Sequence, residues 1–181
     1  GSGTETSPYI IKSYTDLMAL QQQVREENPA KGLYYRLDAD IDCAGQNYYF
    51  TPIGFISADD AYALRDNTVP GTPFTGHFDG NGHTIKGIDY ECGKLAGTGA
   101  FSWLAPGASV SNLTVSGSTF YSEGISTGAI AGYNEGEITN CKSLNNQVMF
   151  TDHSGGGIAG GSTGLIEGCV STSILRGYGS M

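Results

Sequence analysis

Short apolar stretches recur along the second half of the chain, and each is followed by turn residues. The segment GAIAGYNEGEITNCKS begins at Gly128, and GGIAGGSTGLIEGCVS begins at Gly156. They align without gaps at an offset of 28 residues, so that Ile138 matches Ile166. A period of about 20–50 residues is typical of stacked supersecondary units. Because β-branched stretches between glycines favour strands over helices, the pattern predicts a β-solenoid.

Two degenerate copies extend this repeat toward the N-terminus. In GAFSWLAPGASVSNLTV, which begins at Gly99, Phe101 takes the place of Ile130. In HTIKGIDY, Ile85 takes the place of Val110. The unit therefore predicts about four to five coils, each made of short strands and tight turns.

The spacing of apolar residues around Asn112 and Asn140 is three rather than two. A bend at these asparagines would let both flanking side chains point inward. Asn tolerates the left-handed backbone that such a bend needs, and Gly87 and Gly168 are predicted to hold matching positions.

The front of the chain has a different, helical pattern. Ser13 followed by Asp16 is a variant of the capping box, and an apolar stripe with helical spacing follows it. The stripe consists of Leu17, Leu20 and Val24. These signals predict a helix over residues 14–27 that covers the first coil, since a solenoid needs caps at its ends.

Several segments together resemble a known family. The series RLDADIDCAG, TPIG, FTGHFDGNGHTIKGI, GAFSWL and GAIAGYNEGEITNC resembles bacterial extracellular proteins with the GLUG repeat, including the non-catalytic region ahead of IgA-cleaving metallopeptidases. The resemblance implies a pectin-lyase-like, right-handed parallel β-helix in an adhesin-like protein, located outside the cell or on the outer surface of a bacterium. It names no ligand.

The fold class predicted is all-β with one capping helix, in a single domain. Residues 1–8 are assigned to a linker or cloning remnant, and the β-helix to residues 9–181. Its parts are the helical cap (9–32), the first coils (33–98) with a long insertion (55–73), and the GLUG-like coils (99–181).

Charge and composition limit the classes of binding partner that we expect for the chain. The net charge is −9 and the nine Lys and Arg residues are scattered, so nucleic acid is not an expected partner. No apolar run approaches the length needed to cross a membrane. A host or surface protein or a glycan is the expected partner, and neutral glycans or divalent cations suit the charge.

Sequence signatures of catalysis are missing. The chain has no HExxH, GxSxG, P-loop or Rossmann motif. We therefore expect a non-catalytic binding or stalk module, with a carbohydrate-binding or carbohydrate-active β-helix as the alternative.

Candidate ligand-binding residues lie in the insertion, because long loops on a rigid scaffold often carry function. They are Asp59, Asp60, Tyr62, Arg65 and Asp66. The competing interpretation is a loop that has no role in binding.

Asp38, Asp40 and Asp42 alternate and would share one face of a strand, so one interpretation of them is a calcium site. The competing interpretation is a solvated face, and no cofactor is expected.

The motif Asp79-Gly80-Asn81-Gly82-His83 is predicted to be a tight turn in which both glycines have positive φ.

Two further predictions concern stacking. Cys141 and Cys169 hold one position in adjacent coils; a disulfide is one interpretation, and free buried thiols are favoured because in-register stacking suits disulfide geometry poorly. The coil that begins at Gly156 shows no cap, so further coils of the same chain or end-to-end association with a second copy are expected to cover it.

Overall fold

The computed structural model describes residues 1–27, 31–46, 50–56, 71–92, 97–151 and 154–179. These residues form one helix and 23 short strands. The elements up to the end of the first coil are β1 (Tyr9–Ile11), α1 (Tyr14–Glu27), β2 (Tyr34–Leu37), β3 (Ile41–Asp42), β4 (Phe55–Ile56) and β5 (Gly71–Thr72).

The later strands are grouped by coil. Coil 2 contains β6 (His77–Asp79), β7 (Thr84–Lys86), β8 (Asp89–Cys92), β9 (Gly97–Thr98) and β10 (Phe101–Leu104). Coil 3 contains β11 (Ser109–Ser111), β12 (Thr114–Ser116), β13 (Thr119–Ser122), β14 (Ser126–Gly128) and β15 (Ala131–Asn134). Coil 4 contains β16 (Glu137–Thr139), β17 (Lys142–Leu144), β18 (Gln147–Thr151), β19 (Ser154–Gly156) and β20 (Ala159–Ser162), and coil 5 contains β21 (Leu165–Glu167), β22 (Val170–Ser171) and β23 (Ile174–Tyr178).

Equivalent strands of successive coils pair in parallel and form five sheets along the stack. We call them face 1 (β1-β2-β6-β11-β16-β21), face 2 (β3-β7-β12-β17-β22), face 3 (β8-β13-β18-β23), face 4 (β9-β14-β19) and face 5 (β10-β15-β20). The predicted parallel β-helix of about five coils with a helix at its N-terminal end is confirmed.

The offset of 28 is also the register of the later coils, where Ile138 pairs with Ile166. Val110 also pairs with Ile138 at this offset, but two assignments in the degenerate copies are wrong. Phe101 pairs with Ala131 rather than taking the place of Ile130. Ile85 pairs with Val115, and the place of Val110 in coil 2 belongs to Phe78. The turn between Phe78 and Ile85 is longer than the corresponding turn in coil 3. A gap-free alignment of the two coils therefore matches residues that do not stack.

Left-handed residues form the corner between faces 1 and 2. Asn112 and Asn140 have φ values of 53° and 54°, and Gly168 in coil 5 has 63°. The predicted bend is therefore confirmed at these three positions. Gly87 also has positive φ, but its N–H bonds to Ser116 O. It therefore belongs to the next corner, between faces 2 and 3.

The helix α1 covers the open end of the first coil, as predicted. Asp16 N–H donates to Ser13 Oγ at 3.1 Å, and Lys12 N–H donates to Asp16 Oδ2 at 3.0 Å. The hydrogen bond from Lys12 N–H lowers the pKa of Asp16 most strongly, and a hydrogen bond from the Ser13 side chain to the carboxylate lowers it further. The three apolar residues of the stripe are buried in one cluster with the core of the first coil.

The interior of the stack is filled by one apolar core. Its largest fully buried side chains include four aromatic rings, and Phe101 lies with its ring centroid 5.2 Å from that of Phe74 and 5.3 Å from that of Phe78. The four rings are Phe74, Phe78, Phe101 and Phe120. No helix among the described residues is long and apolar enough to cross a membrane.

The insertion leaves the stack through a short antiparallel hairpin. Phe55 pairs with Thr72 and Ile56 with Gly71. On either side, Ile53 bridges to Phe101 and Phe74 to Leu104, so the insertion interrupts the first coil beneath face 5.

The last coil is the most exposed part of the apolar core. Its large apolar side chains retain 40–53% of their surface. They are Leu165, Ile166, Val170, Ile174, Leu175 and Tyr178. Covering of this coil by further coils or by a second copy stays a prediction.

Candidate functional site

A polar cavity of about 430 Å³ lies on the outer side of face 1. Successive strands supply its wall, because outward residues of paired strands stand in rows. We call it the Tyr34 pocket and define it by Tyr34 and Arg36 of β2, His77 and Asp79 of β6, and Ser109 and Ser111 of β11.

The first row of the pocket carries the aromatic groups. Tyr34 pairs in register with His77, and His77 with Ser109. The rings of Tyr34 and His77 stack with centroids 4.4 Å apart and an interplanar angle of 27°. His77 Nδ1 lies 2.9 Å from Ser109 Oγ, which fixes the orientation of the imidazole.

The second row carries charged and hydroxyl groups. Arg36 pairs in register with Asp79, and Asp79 with Ser111. Arg36 Nη2 donates to Asp38 Oδ1 at 3.1 Å. Arg36 Nε is buried and has no hydrogen-bond partner among the described residues, a feature that calls for a structural or functional reason.

Residues 1–8 close one side of the pocket. Ser7 N–H donates to Thr4 O at 3.0 Å, and Tyr34 N–H donates to Gly3 O at 2.9 Å. This turn brings Glu5 and Pro8 to the pocket wall. The segment assigned to a linker thus contributes two of the residues around the cavity.

The predicted turn at 79–83 begins at Asp79, which lines the pocket. Asn81 N–H donates to Asp79 Oδ1 at 2.8 Å, and His83 N–H donates to Gly80 O at 2.8 Å. Asn112 Nδ2 donates to the same Asp79 oxygen at 2.9 Å, so the next coil also holds Asp79 in place.

One detail of that turn differs from prediction. Positive φ occurs at Asn81 (51°) and Gly82 (77°) rather than at both glycines. Gly80 is required for space instead, because a Cβ there would lie 2.4 Å from Leu113 Cα and 2.6 Å from Asn112 O. Asn81 also reaches across a coil, since its Nδ2 donates to Leu37 O at 3.2 Å.

Replacing Gly80 by alanine is expected to destabilise the chain by about 3 kcal/mol, because two backbone segments must separate. Gly82→Ala is the matched control. A Cβ at residue 82 meets nothing within 4 Å, so only the left-handed strain of about 1 kcal/mol remains. Urea unfolding of both variants measures the difference, and equal losses would contradict the close approach at Gly80.

The three aspartates proposed for calcium have separate partners. The strand ends at Leu37, so these aspartates do not share one continuous strand. Asp38 pairs with Arg36, Asp40 accepts from Thr84 N–H at 2.9 Å, and Asp42 lies 3.1 Å from Lys86 Nζ. Across the described ranges, no three His, Cys, Asp or Glu side chains form a group that could hold a metal ion. Calcium binding here stays a prediction, without support from this geometry.

Asp40 links coil 1 to coil 2 and makes stability depend on pH. Hydrogen bonds from Thr84 N–H and from His83 lower the pKa of Asp40 below its ordinary value. A lowered folded-state pKa gives stability that is present above the unfolded pKa, near 4, and is lost as pH falls through the lowered value.

We therefore expect Asp40→Asn to lower the urea midpoint slightly at pH 7. The difference from the unaltered chain should be smaller near pH 2, because Asp40 becomes protonated as the pH falls through its lowered pKa. The effect is small because Asp40 is exposed. Urea titrations at both pH values test this, and a difference that persists unchanged at low pH would contradict the charged contact.

Cys141 and Cys169 are stacked and both are free thiols. Cys141 N–H lies 3.4 Å from Cys169 Sγ, and Cys141 Sγ lies 3.4 Å from Thr139 O. Burial raises the pKa of Cys141 to about 12. Because the thiolate is the reactive form, this residue is chemically inert at neutral pH.

A second cavity, of about 520 Å³, lies on the outer side of face 3. Its aromatic and apolar part consists of Tyr121, Met149 and Tyr178, and its acidic part of Asp89 and Glu91. Tyr121 Oη lies 3.5 Å from Glu123 Oε1. Burial and then the charge of Glu123 raise the pKa of Tyr121. We call this cavity the face 3 groove.

The insertion residues predicted to bind a ligand lie outside the described residues. These are Asp59, Asp60, Tyr62, Arg65 and Asp66. The Tyr34 pocket was not predicted. Its signal was present in the alternation of YYRL and HFD, where Tyr34, Arg36, His77 and Asp79 are the outward positions.

The chain is similar to a known protein in sequence and to a solved structure in fold. No family model matches the chain. Halomucin of Haloquadratum walsbyi is 27% identical over 166 residues, which are 92% of this chain and only 2% of halomucin. A crystal structure of a protein from Bacteroides ovatus, provisionally named an immunoglobulin A1 protease, aligns with a TM-score of 0.61 and 24% identity.

That alignment covers 94% of this chain and 58% of the Bacteroides ovatus protein. At this identity the likeness shows the fold alone. It confirms the predicted likeness to immunoglobulin A protease structures, while the GLUG repeat itself is not tested. The chain is thus a parallel β-helix that spans only part of each similar protein.

Proposed function

We propose that this chain is a non-catalytic module of a surface or secreted protein, in which it acts as a rigid stalk and presents binding faces. The observation that carries the proposal is the in-register stack. Equivalent outward residues of successive coils stand in straight rows, so a ligand meets a fixed array of side chains. The longest such row, on face 1, is Ile10, Arg36, Asp79, Ser111, Thr139 and Glu167.

The similar proteins support an extracellular location. A mucin and an immunoglobulin A protease are both kinds of protein that work outside the cell. By this analogy we place the chain outside the cell or on its outer surface, where an adhesin-like role is the proposed activity.

Hydrogen bonding of the acidic residues favours binding over catalysis. Glycoside hydrolysis needs two carboxyl groups that face one substrate across a groove. On face 1, Asp79 is held by Asn81 and Asn112, and on face 2, Asp42 is held by Ala44 N–H and Lys86. These carboxylates stabilise turns and coil contacts.

A carbohydrate-active β-helix is the second candidate, and the face 3 groove favours it. Asp89 and Glu91 lie two residues apart on β8, so their side chains project from the same side of the strand. Tyr121 and Tyr178 provide aromatic surface beside them. Two carboxylates with adjacent rings are a suitable setting for a polysaccharide.

Incubation with acidic and neutral polysaccharides separates the two candidates. We expect retention of the chain on one or more immobilised polysaccharides or host glycoproteins, with no new reducing ends and no unsaturated-product absorbance. Asp89→Asn combined with Glu91→Gln serves as the control for contaminating enzymes. Cleavage by the unaltered chain that this double variant abolishes would overturn the non-catalytic proposal.

A further inference from the structure

The Tyr34 pocket has an aromatic platform of fixed orientation. Tyr34 stacks on His77 at 4.4 Å, and Ser109 Oγ holds the imidazole at 2.9 Å. An aromatic ring with a polar tip offers an apolar face together with hydrogen-bonding capacity. The C–H face of a sugar ring is a suitable partner for such a surface.

The polar groups around this platform include both donors and acceptors. Arg36 supplies only N–H donors, Asp79 only acceptors, and the hydroxyls of Ser109 and Ser111 can act as either. Asp79 uses Oδ1 for Asn81 and Asn112, while Oδ2 has no hydrogen-bond partner within the described part of the chain. Each sugar hydroxyl is both donor and acceptor, so this mixture matches it.

Charge selects the class of sugar. The positive charge of Arg36 is offset by Asp38 at 3.1 Å, and Glu5 and Asp79 add negative charge to the pocket wall. With a net charge of −9 over the whole chain, an anionic ligand is repelled. A neutral saccharide meets no such repulsion, and the volume of about 430 Å³ lies within the usual range of ligand sites.

We infer that the Tyr34 pocket binds one residue of a neutral glycan, with its ring against the Tyr34–His77 stack and its hydroxyls between Arg36 and Asp79. This assignment rests on the proposed function as a binding module and gives that function a site and a ligand class.

A pair of matched variants tests the site. Ser111→Tyr places a bulky side chain in the pocket, whereas Thr139→Tyr places the same side chain one coil further along the same row, outside the pocket. Tyrosine suits both positions because aromatic residues are favoured in strands. Tyr34→Leu, with Tyr133→Leu on face 5 as its control, removes the aromatic platform while keeping apolar bulk.

The probes are neutral oligosaccharides of glucose, galactose, mannose and N-acetylglucosamine, with oligogalacturonate as the anionic comparison. Binding is followed by amide chemical shifts of the whole chain. We expect at least one neutral probe to shift the signals of Tyr34, His77 and Ser109. Ser111→Tyr and Tyr34→Leu should weaken its affinity about tenfold or more, and the two controls less than about twofold.

Four results would overturn the inference: no binding of any neutral probe, binding of the anionic probe alone, shifts confined to the face 3 groove, or equal affinity in Ser111→Tyr and Thr139→Tyr. Each of these leaves the proposed binding module intact, since another ligand or face could serve it. Cleavage of a bound probe would instead overturn the proposed function.

Discussion

Replacing Phe101 by alanine is expected to lower the free energy of unfolding by about 3–5 kcal/mol. Phe101 is fully buried and packs against both Phe74 and Phe78, so its removal leaves a cavity where the first two coils meet. A loss of this size is a large part of the roughly 5–15 kcal/mol that stabilises a typical domain.

Urea unfolding measures this loss, and the fluorescence of the single tryptophan, Trp103 on β10, reports it. Phe101→Leu is the control, because it retains most of the buried volume and should cost less than about 1.5 kcal/mol. A loss below about 1 kcal/mol for Phe101→Ala would show that the ring is not at the centre of a packed core.

The second large effect is expected at Asn146, whose side chain is buried and joins two coils. Its Nδ2 donates to Val115 O and to Ser143 Oγ, both at 2.9 Å, and its Oδ1 accepts from Ser118 N–H at 2.9 Å. Alanine would leave the Val115 carbonyl and the Ser118 N–H buried without these partners. At about 1–3 kcal/mol for each unsatisfied group, we expect a loss of about 3 kcal/mol.

The neighbouring asparagine provides the control for this prediction. Asn145 is exposed and has a φ of 54°, which glycine adopts readily. Asn145→Gly should therefore change the free energy of unfolding by less than about 0.5 kcal/mol. Similar losses in Asn146→Ala and Asn145→Gly, measured by urea unfolding, would contradict the buried network.

The sequence predicts the later coils well, for a physical reason. In coils 3 to 5 the spacing is nearly constant, so residues that stack are also residues that align, as Ile138 and Ile166 do. The coil corners add a second signal, because few residues other than Asn and Gly adopt left-handed backbone at low cost. Asn112 and Asn140 were predicted on that basis.

The first coils and the pocket could not be predicted in the same way. An insertion separates Tyr34 from His77, and a longer turn separates Phe78 from Ile85, so residues that stack do not align by a fixed offset. The Tyr34 pocket combines side chains from three coils. Its assembly depends on a register that only the three-dimensional pairing of β2, β6 and β11 reveals.

The proposed site and function both require that these coils stack in register, and one distance tests this directly. Spin labels would be placed at residues 10 and 167 in a chain whose cysteines are replaced by alanine. Ile10 and Glu167 begin and end an outward row of face 1 that passes through Arg36, Asp79, Ser111 and Thr139.

Five strand spacings of about 4.8 Å place the two positions about 24 Å apart. Pulsed electron paramagnetic resonance should therefore give one narrow distribution between about 20 and 30 Å. A broad distribution, or a mean distance beyond about 35 Å, would contradict the in-register stack and with it the pocket that the stack assembles.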